Sequence, residues 1–488
     1  MSTFGGLNTA YTGLVAARKG LEVVGQNIAN ANTQGYTRQR ISTSAVDAIS
    51  RVGLMSAGVQ AGQGVNVDGV SRLGSAQLDA QVRSSAAVAG YSAVRSNALT
   101  AVEGSMHEPG ANGLSAQLND FWAGWQDVAN APGENAPAGV LLGQAGVLTT
   151  RIAQGYQAVA NQWSTTRGSV DGMVTEINGA AAQVAALNAQ IRNEQAAGGG
   201  ANELLDQRSA LTTTLAALTG GTVVDRGDGT VDVLVGGNAL VSGNSAQKLI
   251  AVGARSMTGT GGAPHVEWAA HPGTSVAVDG GELAGAISLL APAVTSGAGT
   301  GTGGALAEAA ESYNTMATQL AVKVNAIYSQ GTNSTLPSGD FFAVATGVPA
   351  ATGLSVVPKT VAELSTGLAA NGALDGSIAD ELAQLGAGKA VASAGPPVSY
   401  VQSPSTDWSN FVTSFAVTTR TELQHATLAD LTSTAAVGAQ LSNASVDLDE
   451  ENVNLLMFQH AYQGAARVMT AVDEMLDTLI NRTGLVGR

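Results

Sequence analysis

Apolar residues recur every seven positions at both ends of the chain. Over residues 5–31 one row is Leu7, Leu14, Leu21 and Ile28, and a second is Ala10, Ala17, Val24 and Ala31. Large and small rows at this spacing form the seam of a helix that packs on another helix. A like seam near the C-terminus runs Leu448, Leu455, Phe458, Tyr462, Ala465, Met469, Val472, Leu476 and Leu479. Asp447, Asp449, Glu450 and Glu451 stand at its start, where carboxylates suit the positive end of a helix. Two seams at opposite ends of one chain find cover against each other or against other chains. Self-assembly is therefore assigned to Leu7, Leu14, Leu21, Val24 and Ile28 in the first seam. In the second it is assigned to Leu455, Phe458, Tyr462, Met469, Val472, Leu476 and Leu479.

A third seam is the longest. It runs Ile152, Tyr156, Val159, Trp163, Val170, Met173, Ile177, Ala180, Val184, Leu187 and Ile191, and ends at Gly198-Gly199-Gly200. A helix over 144–197 is about 80 Å long, which suits a rod better than a globule. Shorter helices are expected at 75–103, 113–130, 202–218, 304–330 and 405–444. After Gly221 the period drops to two: Val231, Val233 and Val235 alternate with Asp232 and Leu234, and Ser275–Val278 reads as a further strand. The stretch 295–304 is a Gly/Thr linker by composition, and 331–400 has no strong period.

The fold class that follows is mainly α with a β insert, elongated and multi-domain. Residues 1–40 plus 446–488 form a terminal coiled coil. Residues 41–220 plus 282–445 form a helical rod domain, loosely structured over 331–400. Residues 221–281 form a small inserted β-domain.

Composition narrows the chemistry. Among 488 residues, 22 Lys and Arg face 37 Asp and Glu, a formal charge of −15. Tracking nucleic-acid phosphates needs a basic footprint, so nucleic acid is excluded as a partner. With no Cys there are no disulfides, thiol nucleophiles or thiolate metal sites. No apolar run reaches the ~18 residues that span a bilayer, and Met1–Gly6 lacks a basic leader segment. Neither membrane insertion nor a cleaved signal peptide is expected.

The candidate sites for chemistry are weak. Gly299–Gly304 has the spacing GxGxxG, but no strand precedes it, as a dinucleotide site requires. His265, Glu267 and His271 share one strand face and are of the types that ligate zinc, yet they lack the helical HExxH spacing. Arg226-Gly227-Asp228 spells a short adhesion tripeptide inside a natural hairpin turn, Asp225–Thr230. No GxSxG elbow is present. No catalytic residue, metal or cofactor is assigned, and the chain is read as a non-enzyme.

Residues 27–36 read Asn-Ile-Ala-Asn-Ala-Asn-Thr-Gln-Gly-Tyr. Asn27, Asn30, Thr33, Gly35 and Tyr36 in this stretch resemble the N-terminal motif of the bacterial flagellar axial proteins, the rod, hook and hook-associated families. Gly35 supplies a left-handed residue after the helix. Thr37-Arg38-Gln39, Ala201–Arg208, Gly236–Gly243, Asp340-Phe341-Phe342 and Val446–Glu451 resemble the hook-associated, junction-forming branch. In the Ala201–Arg208 stretch Asn202 is expected to cap the helix.

The resemblance implies a structural protein in a short helical ring at the hook–filament junction, required for filament attachment and assembly. It implies as partners other copies of the chain, the hook protein, a second hook-associated junction protein, an export chaperone and the flagellar type III export apparatus. The implied location is extracellular, on the flagellum, reached without signal cleavage. The alternatives are a hook or distal rod protein, a surface adhesin presented by the β insert, or an enzyme using His265 and His271.

Overall fold

The computed structural model describes residues 3–47, 62–294, 303–332, 339–368, 371, 374–388, 403–478 and 480. The first helix, α1 (Thr3–Ala29), is followed by an antiparallel ribbon of β1 (Gln39–Ala45) and β2 (Val65–Arg72). Then come α2 (Ala76–Met106), α3 (Leu114–Asn130), α4 (Asn135–Ala196) and α5 (Asn202–Thr219). The β insert contains β3 (Thr222–Asp225), β4 (Val231–Val235), β5 (Asn238–Ser242) and β6 (Ser245–Ala246) in one four-stranded sheet. β7 (Leu249–Val252) and β8 (His265–Trp268) form a separate pair. Helices α6 (Gly281–Leu290) and α7 (Ala305–Tyr328) return to the body. A short pair, β9 (Phe342–Val344) and β10 (Leu354–Val356), flanks α8 (Ala350–Gly353) and precedes α9 (Ser377–Gly386). The chain ends in α10 (Pro404–Ala444) and α11 (Leu448–Asp477).

The fold is mostly helical with small sheets, as the periodicities indicate. Helix α4 has 62 residues, about 90 Å at its usual rise. It starts nine positions before the expected 144 and accommodates Pro137 in its first turn, where the missing N–H has no intrahelical partner to lose. Its predicted seam is buried from Ile152 to Ile191, apart from half-buried Met173 and Leu187. Against it pack α3, α5, α6 and α7. In the core Trp125 meets Phe341 at 5.2 Å and Tyr328 at 6.1 Å between ring centroids. Asn325 on α7 holds this corner by accepting from the backbone N–H of Phe341 and Phe342 at 3.0 and 2.9 Å.

Two expectations are corrected, and a third falls largely outside the described residues. Ser275–Val278 is not a strand; only an isolated bridge joins Ser275 to Glu267, beside a hydrogen bond from Val276 to Val266. The Asn202 side chain does not cap α5, whose N-cap position is Ala201; it reaches instead to Gln39 and Val70. The linker at 295–304 and the glycine pattern within it lie outside the described residues over 295–302, as do Leu479 and the tail from 481.

Candidate functional site

Helices α1 and α11 pack antiparallel. Asn27 meets Glu451 through a 3.1 Å hydrogen bond, and seven residues along Gly20 faces Phe458. A Cβ on Gly20 would lie 2.5 Å from the Phe458 ring, so the glycine is what allows this approach. The face of α1 turned inward is the small one: Ala10, Ala17, Gly20, Val23, Val24 and Asn27 are buried. Of the predicted N-terminal seam, Val24 is buried, while Leu7, Leu14, Leu21 and Ile28 are half-buried along its flank. On α11, Val472 is buried; Leu455, Phe458, Met469 and Leu476 are half-buried; and Tyr462 is 37% exposed. The outer face of α11 carries Val453, Leu456, Met457, Val468 and Met475, each at least half exposed. The pair thus covers little of its own apolar surface, and isolated helix pairs depend on such cover.

At its upper end the pair is tied to the body by a polar joint. Asn27 donates to the Gln39 carbonyl and accepts from the Gln39 N–H at 3.0 Å and from the Tyr36 hydroxyl at 2.9 Å. Gly35 takes the left-handed conformation expected of it, φ 79°, and lets the chain turn back so that Tyr36 reaches Asn27. Thr33 donates to Asn30 within the same turn. Arg38 bridges to Glu451 at 2.7 Å and to Glu450 at 2.6 Å. Its backbone N–H donates to Ala444 at the end of α10, and its carbonyl accepts from Leu73. Asp447 caps α11 by accepting from the N–H groups of Asp449 and Glu450.

The central motif joins the same knot. Asp206 on α5 accepts from the Thr37 N–H at 3.1 Å and from Arg72 at 2.5 Å. Asp79 on α2 accepts from Gln440 on α10 at 2.6 Å. Burial, reinforced by Glu203, Asp206 and Glu451, pushes the Tyr36 hydroxyl up to about 12. Burial works against the Arg38 charge, but its hydrogen bonds to Glu450 and Glu451 outweigh this and raise its pKa. Stretches from the start, middle and end of the sequence therefore converge on one joint. Arg38, Asp206 and Glu451 lie in the motifs already quoted, whereas Arg72 and Asp79 were not singled out from sequence.

The candidate chemistry in the insert is engaged locally. His265 and Glu267 bond each other at 3.0 Å, and Glu267 also accepts from the Gly273 N–H. In the turn before β4, Asp228 accepts from Thr230, while Arg226 donates to Asp232 and Ser242. Buried Asn188 on α4 fastens the insert by bonding Val231, Gly243 and Arg208. No cluster of three metal-ligating residues exists among the described residues, and none of their helices is long and apolar enough to cross a membrane.

Paired ends knotted onto a long helical body, with apolar faces still uncovered, are the arrangement that the resemblance to the flagellar axial proteins implies. The comparisons agree. Residues 7–37 match the model for flagella basal body rod proteins, and residues 439–482 match that for the C-terminal region of the flagellar basal body rod FlgEFG proteins. Residues 99–342, half of the chain, match the helical domain of flagellar hook-associated protein FlgK. The chain belongs to the FlgK family of flagellar hook-associated proteins.

Flagellar hook-associated protein 1 of Bacillus subtilis is 29% identical over the full length of both chains. The proteins of that name from Escherichia coli and Salmonella typhimurium are 31% and 32% identical over 50% of this chain and 44% of theirs. The flagellar hook junction protein FlgK of Burkholderia pseudomallei has a solved structure with a TM-score of 0.44 and 24% identity, covering 56% of this chain and 47% of that one. These relatives are structural proteins, and a hook or distal rod assignment is not favoured.

Proposed function

We propose that the chain forms the hook–filament junction of the bacterial flagellum, as a ring of copies that seats the filament on the hook. The observation that carries this is the polar joint, where Asn27, held by the Tyr36 hydroxyl, and Arg38 both donate to Glu451 while the Thr37 N–H donates to Asp206, so that the two ends and the body's central motif fold as one unit. The mechanism is mechanical. The narrow glycine–alanine face of α1 seats α11, and the exposed row Val453, Leu456, Met457, Val468 and Met475 is left for neighbouring copies. Burying a large aliphatic side chain contributes about 1.5–3 kcal/mol, so such a row ties order in the ends to incorporation.

Under this reading the terminal pair, 1–40 plus 446–488, is the assembling domain. The region 41–220 plus 282–445 is the rod, and 221–281 is a side domain. Leu7, Leu14, Leu21, Ile28, Tyr462 and Met469 meet neighbouring chains. The hook protein and a second junction protein lie below and above. Export runs through the type III apparatus with a chaperone and without signal cleavage.

The test is deletion of the gene. Hooks without filaments, with flagellin lost to the medium, are expected. Missing hooks would move the protein down into the rod or hook, and intact attached filaments would contradict the proposal.

A further inference from the structure

A groove of about 440 Å³ lies between α2 and the start of the β insert. One wall is a single face of α2, including Ala80, Arg83, Ser84, Val88 and Tyr91. The other wall is the Gly220–Val223 corner, with Asp279 and Gly280 closing one side. The helical wall from Ala80 to Tyr91 is about 16 Å long, the span of about five extended residues.

Two independent features make this more than a surface crease. Arg83 is half-buried, and its guanidinium makes no hydrogen bond or ion pair among the described residues. The carboxylate that influences it, Asp79, is already taken by Gln440 at 2.6 Å and lies 3.8 Å from Arg72. Burial lowers the Arg83 pKa and outweighs the opposing pull of Asp79. The second feature is β3. It is the outermost strand of its sheet, paired to β4 on one side alone among the described residues, and its Thr222 and Val223 line the groove. An unpaired strand offers main-chain hydrogen bonds to an added segment.

We infer that the groove receives an extended, carboxylate-bearing segment of a second copy of this chain, with the carboxylate on Arg83 and the backbone along β3. The charge pattern selects the occupant: Arg83 calls for an acid, and a chain with 37 acidic against 22 basic residues supplies carboxylates on its surface. Asp279 at the other side of the groove requires that the segment present a donor there rather than a second acid. A bidentate guanidinium–carboxylate pair adds direction as well as attraction. The partner copy rests on the ring proposed above; the groove and its charge do not.

The experiment places a photo-crosslinking amino acid at Ser84 in the full-length protein and irradiates intact cells and purified flagella. A crosslinked dimer of this chain is expected in the flagella. Arg83→Glu and the milder Arg83→Gln should each cut it at least ten-fold with an unchanged circular dichroism spectrum, and Arg83→Lys should retain most of it. Crosslinks within one chain, crosslinks to a different protein, or none in flagella that contain the protein would overturn the inference and leave the junction reading standing. Absence of the protein from purified flagella would overturn that reading instead.

Discussion

Glu451, in the first turn of α11, accepts a 2.8 Å hydrogen bond from Arg38, although the two lie 413 positions apart in the chain. The Glu451 side chain is 2% exposed and that of Arg38 is 19% exposed. A carboxylate buried so fully is tolerated because Arg38 and Asn27 both donate to it. The consequence is cooperative: the start of the last helix docks only if the turn after the first helix is in place.

Glu451→Ala should therefore destabilise the docked end by about 3 kcal/mol, the usual order for removing one partner of a buried pair. Hydrogen exchange at the backbone amides of residues 451–458 measures it. Protection there should fall about a hundred-fold while α4 keeps its own, and unchanged protection would mean that the joint does not hold α11.

Two glycines of one helix should respond oppositely to the same change. Gly20→Ala drives a methyl into the Phe458 ring and should cost about 1–3 kcal/mol through overpacking. Gly13→Ala meets nothing within 4 Å and should stabilise the helix by about 0.5–1 kcal/mol. Denaturant titration of the two variants side by side reads the difference, and Phe458→Leu should relieve the first.

Alkali should loosen the joint through Tyr36. Its folded pKa of about 12 is raised above the ordinary value of 10.0, so the folded state holds this proton more tightly than the unfolded one. The stabilisation is complete below the ordinary value and is lost as pH rises through the folded one. Fluorescence from a label on Gln26 should report opening between these two values in the native protein, and Tyr36→Phe should remove that component. The same opening in the variant would assign it to another group.

Much of this arrangement was legible in the sequence, for reasons that differ by element. The long seam of α4 could be read because Ile152, Val159, Ile177, Val184 and Ile191 bury the same face that their spacing marks. The seam of α1 was harder, because hydrophobicity ranks leucine above alanine while close packing against Phe458 ranks glycine first. The row of leucines consequently lies on the flank and the small row faces inward. The β1–β2 ribbon was missed because β1 is mostly exposed and polar and the alternation of β2, Val65 and Val67 against Asn66 and Asp68, is short and breaks at Gly69. Helix α6 was missed because its ten residues follow a glycine-rich strand region directly. The motifs of the joint were visible one by one, but their meeting depends on tertiary contacts across hundreds of positions that no local period encodes.

On the function proposed above, the uncovered face of the terminal pair is an assembly surface and not part of the monomer's core. The most direct measurement is incorporation of a Met457→Asp variant, at a residue 53% exposed on the outer face of α11. The variant should fold with native helix content and be exported, yet be absent from purified flagella and leave hooks bare. Met457→Asp subunits found in flagella at the native level, with filaments attached, would contradict the proposal.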